Sequence, residues 1–232
     1  MKVVFAGIIA RYPFGGVTWC SLMYLLGLRA LGHDVLYVED TGECIYDPEQ
    51  NALSPDPSYG TRYIHNALEP FGLGSHWCFV NYDGTYHGCR RESVREYCSD
   101  ADLFVNLSGG SWFWRDEYAR IPRRVFVDSD PVFTQLAIAK GERWYVDFFR
   151  GFHRLFTFGA NIGTPESDVP TGEFTWHVVV PADAVQRVGG AIAVEVDRVY
   201  LPGPAEGTTD SRRLGLRLFE TTVFPAAPPD RP

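Results

Sequence analysis

The chain has no surplus of positive charge: 21 Lys and Arg stand against 29 Asp and Glu, a net charge of -8 with a pI near 5.2. Nucleic acid and anionic membranes require a basic face to neutralise phosphates, so neither is expected as a partner. No uninterrupted apolar segment is long enough to span a bilayer. A charged leader before an apolar stretch is also missing, since the first strand is read from residue 2, so no secretory signal is expected and the implied address is cytoplasmic. The five cysteines, Cys20, Cys44, Cys78, Cys89 and Cys98, are odd in number and lack paired spacing, which suits free thiols better than a disulfide framework. Without a C-x-x-C pair, Cys78, His87, Cys89 and Cys98 do not make a zinc signature, and no metal or cofactor is assigned. A Ser-His-Asp hydrolase is unsupported because no G-x-S-x-G elbow follows any strand. The dinucleotide fingerprint G-x-G-x-x-G is absent too, for after Gly7 the next glycine is Gly15, and this counts against an NAD-dependent oxidoreductase.

What is present is ample material for a packed core, 45% hydrophobic and 15% aromatic over 232 residues. The opening MKVVFAGIIARYPFGGVTWCSLMYLLGLRALGHDVLYVED reads as strand (2–8), loop with Gly15 and Gly16, amphipathic helix from about residue 17, and second strand (34–39). Gly32 marks the end of the helix. Strands joined by one helix must lie parallel. Residues 41–57 form a polar, proline-marked stretch, followed by a helix over 58–71 and a strand over 77–81. Asp83-Gly84 between FVNY and TYHG predicts a hairpin with a primed turn. A helix over 92–98, the strand in DLFVNLSGG, the strand in RRVFVDSDP, a helix from Pro131 to about residue 140, another over 144–152 and the strand in RLFTFGAN complete the series. This alternation predicts an α/β fold, a doubly wound, mostly parallel Rossmann-like sheet.

The composition changes after His177. Residues 178–232 contain no Lys, His, Cys, Trp or Met, and only Tyr200, Phe219 and Phe224 among aromatics, while seven of the 16 prolines fall there. AIAVEVDRVYL has a partial strand-like alternation, but the remainder lacks periodic apolar spacing. The expected organisation is a Rossmann-like domain over 1–177 and an irregular tail over 178–232 that does not form a second complete domain. A truncation or out-of-frame extension would explain the enrichment of that tail in Arg, Ala, Gly, Val and Pro.

The first loop, the helix and LRALGHDVLYVED, together with VFVDSDPVFTQL, FTFGANIG and FTWH, resemble the amino-terminal domain of glycosyltransferases of the two-domain GT-B architecture over residues 1–177. The resemblance implies a single acceptor-side lobe. Its partners would be a hydroxyl acceptor and, through a second lobe, a nucleotide-sugar donor; alone, the chain is expected to be nearly inactive. Many inverting members place a histidine base in the first loop, and residues 9–16 contain none. A non-catalytic module of the same fold that binds a glycan or small metabolite is the alternative, and a non-functional remnant is a further one.

Ligands of open parallel sheets sit beyond the carboxyl ends of the strands, so candidate residues lie in the loops there. Arg11, Tyr12, Gly15 and Gly16 follow the first strand and could contact substrate, or simply make a tight connection. Glu39 and Asp40 read as solvated carboxylates at a strand end rather than a ribose clamp. Ser108, Gly109 and Gly110 offer small side chains and free amides, with Trp112 and Trp114 nearby as sugar-stacking or packing aromatics. Asp128 is the catalytic candidate, a carboxylate able to assist deprotonation of an acceptor hydroxyl. Asp130 is a substrate-binding candidate whose preferred reading is a helix cap before Pro131 at the first helical position.

Overall fold

Strand β1 (Lys2–Ala6) carries Val3, Val4, Phe5 and Ala6 fully buried, as a central parallel strand covered on both faces must. Val4 and Ala6 enter one core and Val3 and Phe5 the other, because successive side chains leave a strand in opposite directions. The computed structural model describes residues 1–179. Helix α1 (Gly15–Ala30) buries Thr18, Ser21, Leu22 and Leu25 on one stripe. It closes at Gly32, where Gly32 N–H donates to the Arg29 carbonyl at 2.8 Å and His33 N–H to the Leu28 carbonyl at 3.0 Å, the Schellman pattern. Strand β2 (Asp34–Glu39) then pairs parallel with β1, placing Ala6 opposite Val38.

The polar stretch after Asp40 contains a short antiparallel ribbon, β3 (Ile45–Asp47) with β4 (Ala52–Ser54), that periodicity did not reveal in strands so short. Helix α2 (Ser58–Leu68) leads to β5 (Trp77–Val80), which pairs antiparallel with β6 (Tyr86–Gly88). The hairpin is as expected but its turn is not primed. Gly84 alone takes a positive φ, 84°, while Gly84 N–H donates to the Asn81 carbonyl at 2.8 Å. Asp83 keeps negative φ and its Oδ1 accepts the Thr85 N–H at 2.9 Å, which gives the longer loop ending in a left-handed glycine.

Helix α3 (Arg91–Ser99), β7 (Leu103–Leu107), α4 (Asp116–Ala119), β8 (Arg123–Asp128), α5 (Phe133–Ala139), α6 (Arg143–Phe149), β9 (Arg154–Thr157) and β10 (Trp176–Val178) follow. The eight-stranded sheet runs β10-β9-β8-β7-β1-β2-β5-β6, parallel except for β6. Leu22 and Leu25 of α1 and Ile64 and Leu68 of α2 pack on one face; Val94 of α3, Tyr118 of α4, Ile138 of α5 and Phe148 of α6 pack on the other. The described residues are therefore a Rossmann-like α/β/α layer. Among them, no helix is long and apolar enough to cross a membrane. The folded layer runs slightly past the expected boundary at 177, since Val178 belongs to β10 and Val179 N–H donates to the Thr157 carbonyl at 3.1 Å. The rest of the expected tail, 180–232, lies outside the described residues.

The strand order reverses at β1, whose neighbours are β2 and β7. A ligand crevice is expected at such a point, yet the β7 loop crosses it. Gly110 lies flat against the end of β1: a Cβ there would stand 2.2 Å from the Gly7 nitrogen and 2.3 Å from the Ala6 carbonyl carbon. Gly110→Ala forces backbone against backbone and is expected to cost about 3 kcal/mol, read as a lowered urea midpoint at unchanged slope.

Candidate functional site

Two consecutive carboxylates end β2, and the alternation of a strand sends them to opposite faces. Both are buried, contrary to the expectation of solvated groups, because each is the anchor of one loop. Glu39, fully buried, accepts the Ala10 N–H at 2.8 Å, the Arg11 N–H at 2.5 Å and the Tyr37 hydroxyl at 3.0 Å. The same Tyr37 oxygen accepts the Ile9 N–H at 2.9 Å. The amides of the β1 loop thus close on the protein's own carboxylate where a dinucleotide-binding domain would present amides to a pyrophosphate. Burial outweighs these donors and the nearby Arg11 charge, and lifts the Glu39 pKa from 4.5 to about 7.

Asp40 serves the β7 loop. Its N–H donates to the Gly110 carbonyl at 2.8 Å, its carbonyl accepts the Trp112 N–H at 3.3 Å, and its carboxylate binds Arg115 through Nε and, at 2.8 Å, through Nη2. Asn106 Nδ2 adds a 2.6 Å bond to the Ser111 carbonyl. The amides of Ser108 and Gly110 are consequently not free: they donate to the Val127 and Leu107 carbonyls. Trp114 is a core residue, its Nε1 donating to the Phe148 carbonyl at 2.9 Å and its ring 4.7 Å from Phe152. Trp112 packs likewise against Phe126 and Phe148, so the packing reading holds for both tryptophans.

The first loop splits the residues proposed for it. Arg11 is buried and Tyr12 half-buried beneath its guanidinium, 5.0 Å from ring centre to Cζ. Gly15 and Gly16 are not loop residues but the exposed first turn of α1, with open space around both. The sequence placed the helix start later because glycine is a poor helix former. Phe14 occupies the cap position without a side-chain bond.

At the ends of β7 and β8 the structure gathers Ser108, Asp128 and Ser129. The hydroxyls of Ser108 and Ser129 touch, and Ser108 holds a left-handed φ of 55°. Asp128 is buried; its Oδ1 accepts the Asp130 N–H at 3.2 Å and its Oδ2 the Gln135 Nε2 at 2.7 Å. Burial raises its proton affinity above that of an ordinary aspartate. Asp130 is exposed and does not cap a helix. Helix α5 starts at Phe133, and its cap position is Val132, whose N–H donates to Gln135 Oε1 at 2.6 Å. Gln135 therefore ties Asp128 to the helix start in the manner assigned to Asp130, and no motif in the sequence marks it.

The cost falls on Val132, a β-branched residue at φ 91° and ψ -48°. Phe113 after β7, Phe133 at the start of α5, Trp144 in α6 and Phe158 after β9 are exposed aromatics. Tyr145 on α6 has its hydroxyl pKa raised by burial and by the Glu142 and Glu43 carboxylates. Among the described residues no group of His, Cys, Asp and Glu is arranged to hold a metal, and all five thiols are free. Comparison with protein-family models, curated proteins and solved structures finds no match to this chain.

Two measurements check this geometry. With its folded pKa raised, Glu39 contributes most to stability below pH 4.5 and loses that contribution as pH rises through about 7. The stability of the native chain minus that of Glu39→Gln should fall across this window and stay flat above it, followed by chemical denaturation at each pH. Val132→Gly relieves the positive φ with little packing lost, and should raise stability by about 1 kcal/mol.

Proposed function

We propose that these residues form the acceptor-side lobe of a GT-B type glycosyltransferase, which receives a hydroxyl acceptor while a second lobe holds the nucleotide-sugar donor. The observation that carries the reading is the occupied amide cradle: the Ala10 and Arg11 amides of the β1 loop are held by Glu39 and are not presented to a pyrophosphate. In this reading the sugar would be met by exposed aromatics that follow the strands, Phe113, Phe133 and Phe158, together with Arg11, Tyr12, Ser108, Asp128 and Asp130.

In this reading Asp128 is the base. Each of its oxygens accepts one bond from the protein, which leaves a lone pair for an acceptor hydroxyl. The proton passes to the carboxylate as the acceptor oxygen bonds to the anomeric carbon and the bond to the diphosphate breaks. The raised proton affinity of Asp128 favours that transfer. Alone, the lobe lacks the wall that would orient the donor and neutralise its leaving group, so turnover is expected to be nearly nil. The occupied cradle equally favours a second reading, a binding module that recognises a glycan or small metabolite without transforming it.

A carbohydrate array and a melting-temperature screen separate these readings from their failure. The expected result is saturable binding to a restricted set of glycans, with nucleotide sugars alone shifting the melting temperature by less than about 2 °C. A saturable shift of several degrees with one nucleotide sugar would overturn the assignment of the donor to another lobe. Silence of the whole array would remove the glycan-acceptor reading. Added second lobe and donor should then yield product only if the catalytic reading is right, and Asp128→Asn should lower that rate about 100-fold or more.

A further inference from the structure

Two arginine–carboxylate pairs flank the end of β2, and they are built differently. Arg115 meets Asp40 with Nε and Nη2 on both oxygens, and Asp40 is 1% exposed, as expected of a pair that fixes a loop. Arg11 is itself only 6% exposed, yet it meets Glu43 by a single contact, Nη2 to Oε2 at 2.7 Å. Its Nε and Nη1 are buried without partners. A fork-shaped donor set is thus filled on one prong, and the group filling it is a side chain 57% exposed to solvent.

The arginine is fixed and the glutamate is not. Arg11 N–H donates to Glu39 Oε1 at 2.5 Å and its carbonyl accepts the Tyr46 N–H at 2.9 Å, while its guanidinium lies over Tyr12. Glu43 follows Gly42, and its backbone is held only by a long 3.4 Å bond to the Thr41 hydroxyl. The one acceptor on the Arg11 guanidinium is Glu43, so an outside anion would come in exchange for it.

We propose that Arg11 anchors an oxyanion-binding site, with Glu43 as an internal carboxylate that occupies it until a phosphoryl or carboxyl group of a ligand takes its place. Two or three oxygens on one centre fill both prongs of the fork, which Glu43 does not. That the anion belongs to the acceptor rests on the function proposed above; the site itself does not.

The test uses the full chain, with inorganic phosphate in one arm and acetate in the other, and no sugar nucleotide in either. Binding is followed through the Arg11 Nε–H resonance and the melting temperature, for the native chain and for Glu43→Gln. The Arg11 resonance should move saturably, and removal of the tethered competitor should tighten the preferred anion about tenfold. The tighter arm identifies the group as phosphoryl or carboxyl. Arg11→Lys, shown folded by circular dichroism, should lose the response because an ammonium lacks the fork. An unmoved Arg11 resonance in both arms, or equal affinity in the native chain and Glu43→Gln, would overturn the site. These readings do not depend on glycosyl transfer, so failure of the anion site and failure of the proposed function are separable.

Discussion

A carboxylate removed from water has to be surrounded by donors or charge, or else protonated. The end of β2 sets that requirement twice in succession. Glu39 draws the β1 loop in around its oxygens, and Asp40 draws in Arg115 and the backbone of the β7 loop. Because neighbouring residues on a strand face opposite sides, one pair of residues fixes both segments that frame the switch point. The close seating of Gly110 on Gly7 follows from this arrangement, since the β7 loop can pair with Asp40 only by crossing the end of β1.

The consequence for chemistry is a displacement of the site. In a dinucleotide-binding domain the first loop gives its amides to a phosphate and the acidic end of the second strand goes to a ribose. Here the acidic group is spent on the amides, and each cancels the other as a ligand contact. In the proposed reading, recognition comes instead from side chains at the strand ends: Arg11, exposed aromatics such as Phe113 and Phe158, and the Asp128 cluster. That cluster also holds strain, with Ser108 and Val132 both at positive φ within two adjoining strand-end segments. Strained non-glycine residues persist only where their surroundings hold them, and the Asp128–Gln135–Val132 chain of hydrogen bonds is what holds Val132.

The layer was legible in the sequence because its signal is local and repeated. Runs such as KVVFA and DVLYVE, buried on both faces, and Gly32 after α1 fixed strand, helix and stop independently. The strand β10 was passed over because Trp176–Val178 is three residues long and is recognised only by its parallel partner β9. The helix start at Gly15 was missed because its first turn is two exposed glycines, poor helix formers that lie ahead of the residues that pack. At Asp130 the local rule pointed to a cap before Pro131, and a glutamine within the helix won, since it could satisfy Val132 N–H and Asp128 together.

The site was less legible than the fold for a physical reason. Residue type gives the chemistry of a carboxylate but not its neighbours, and Glu39, Asp40, Glu43 and Asp128 meet four different fates here. Glu39 is caged by amides and a phenol, Asp40 is forked by an arginine, Glu43 remains largely in solvent, and Asp128 is buried with one lone pair left on each oxygen. Sequence separates these poorly, because the deciding partners, Ala10, Arg115, Arg11 and Gln135, lie on other elements or in a turn that no pattern announces. Once they are known, the division is simple. Glu39 and Asp40 are held by the loops they anchor, Asp40 by a paired cation, whereas Glu43 is exchangeable and Asp128 has neutral donors alone, so in the proposed reading the last two are the ones a ligand would meet.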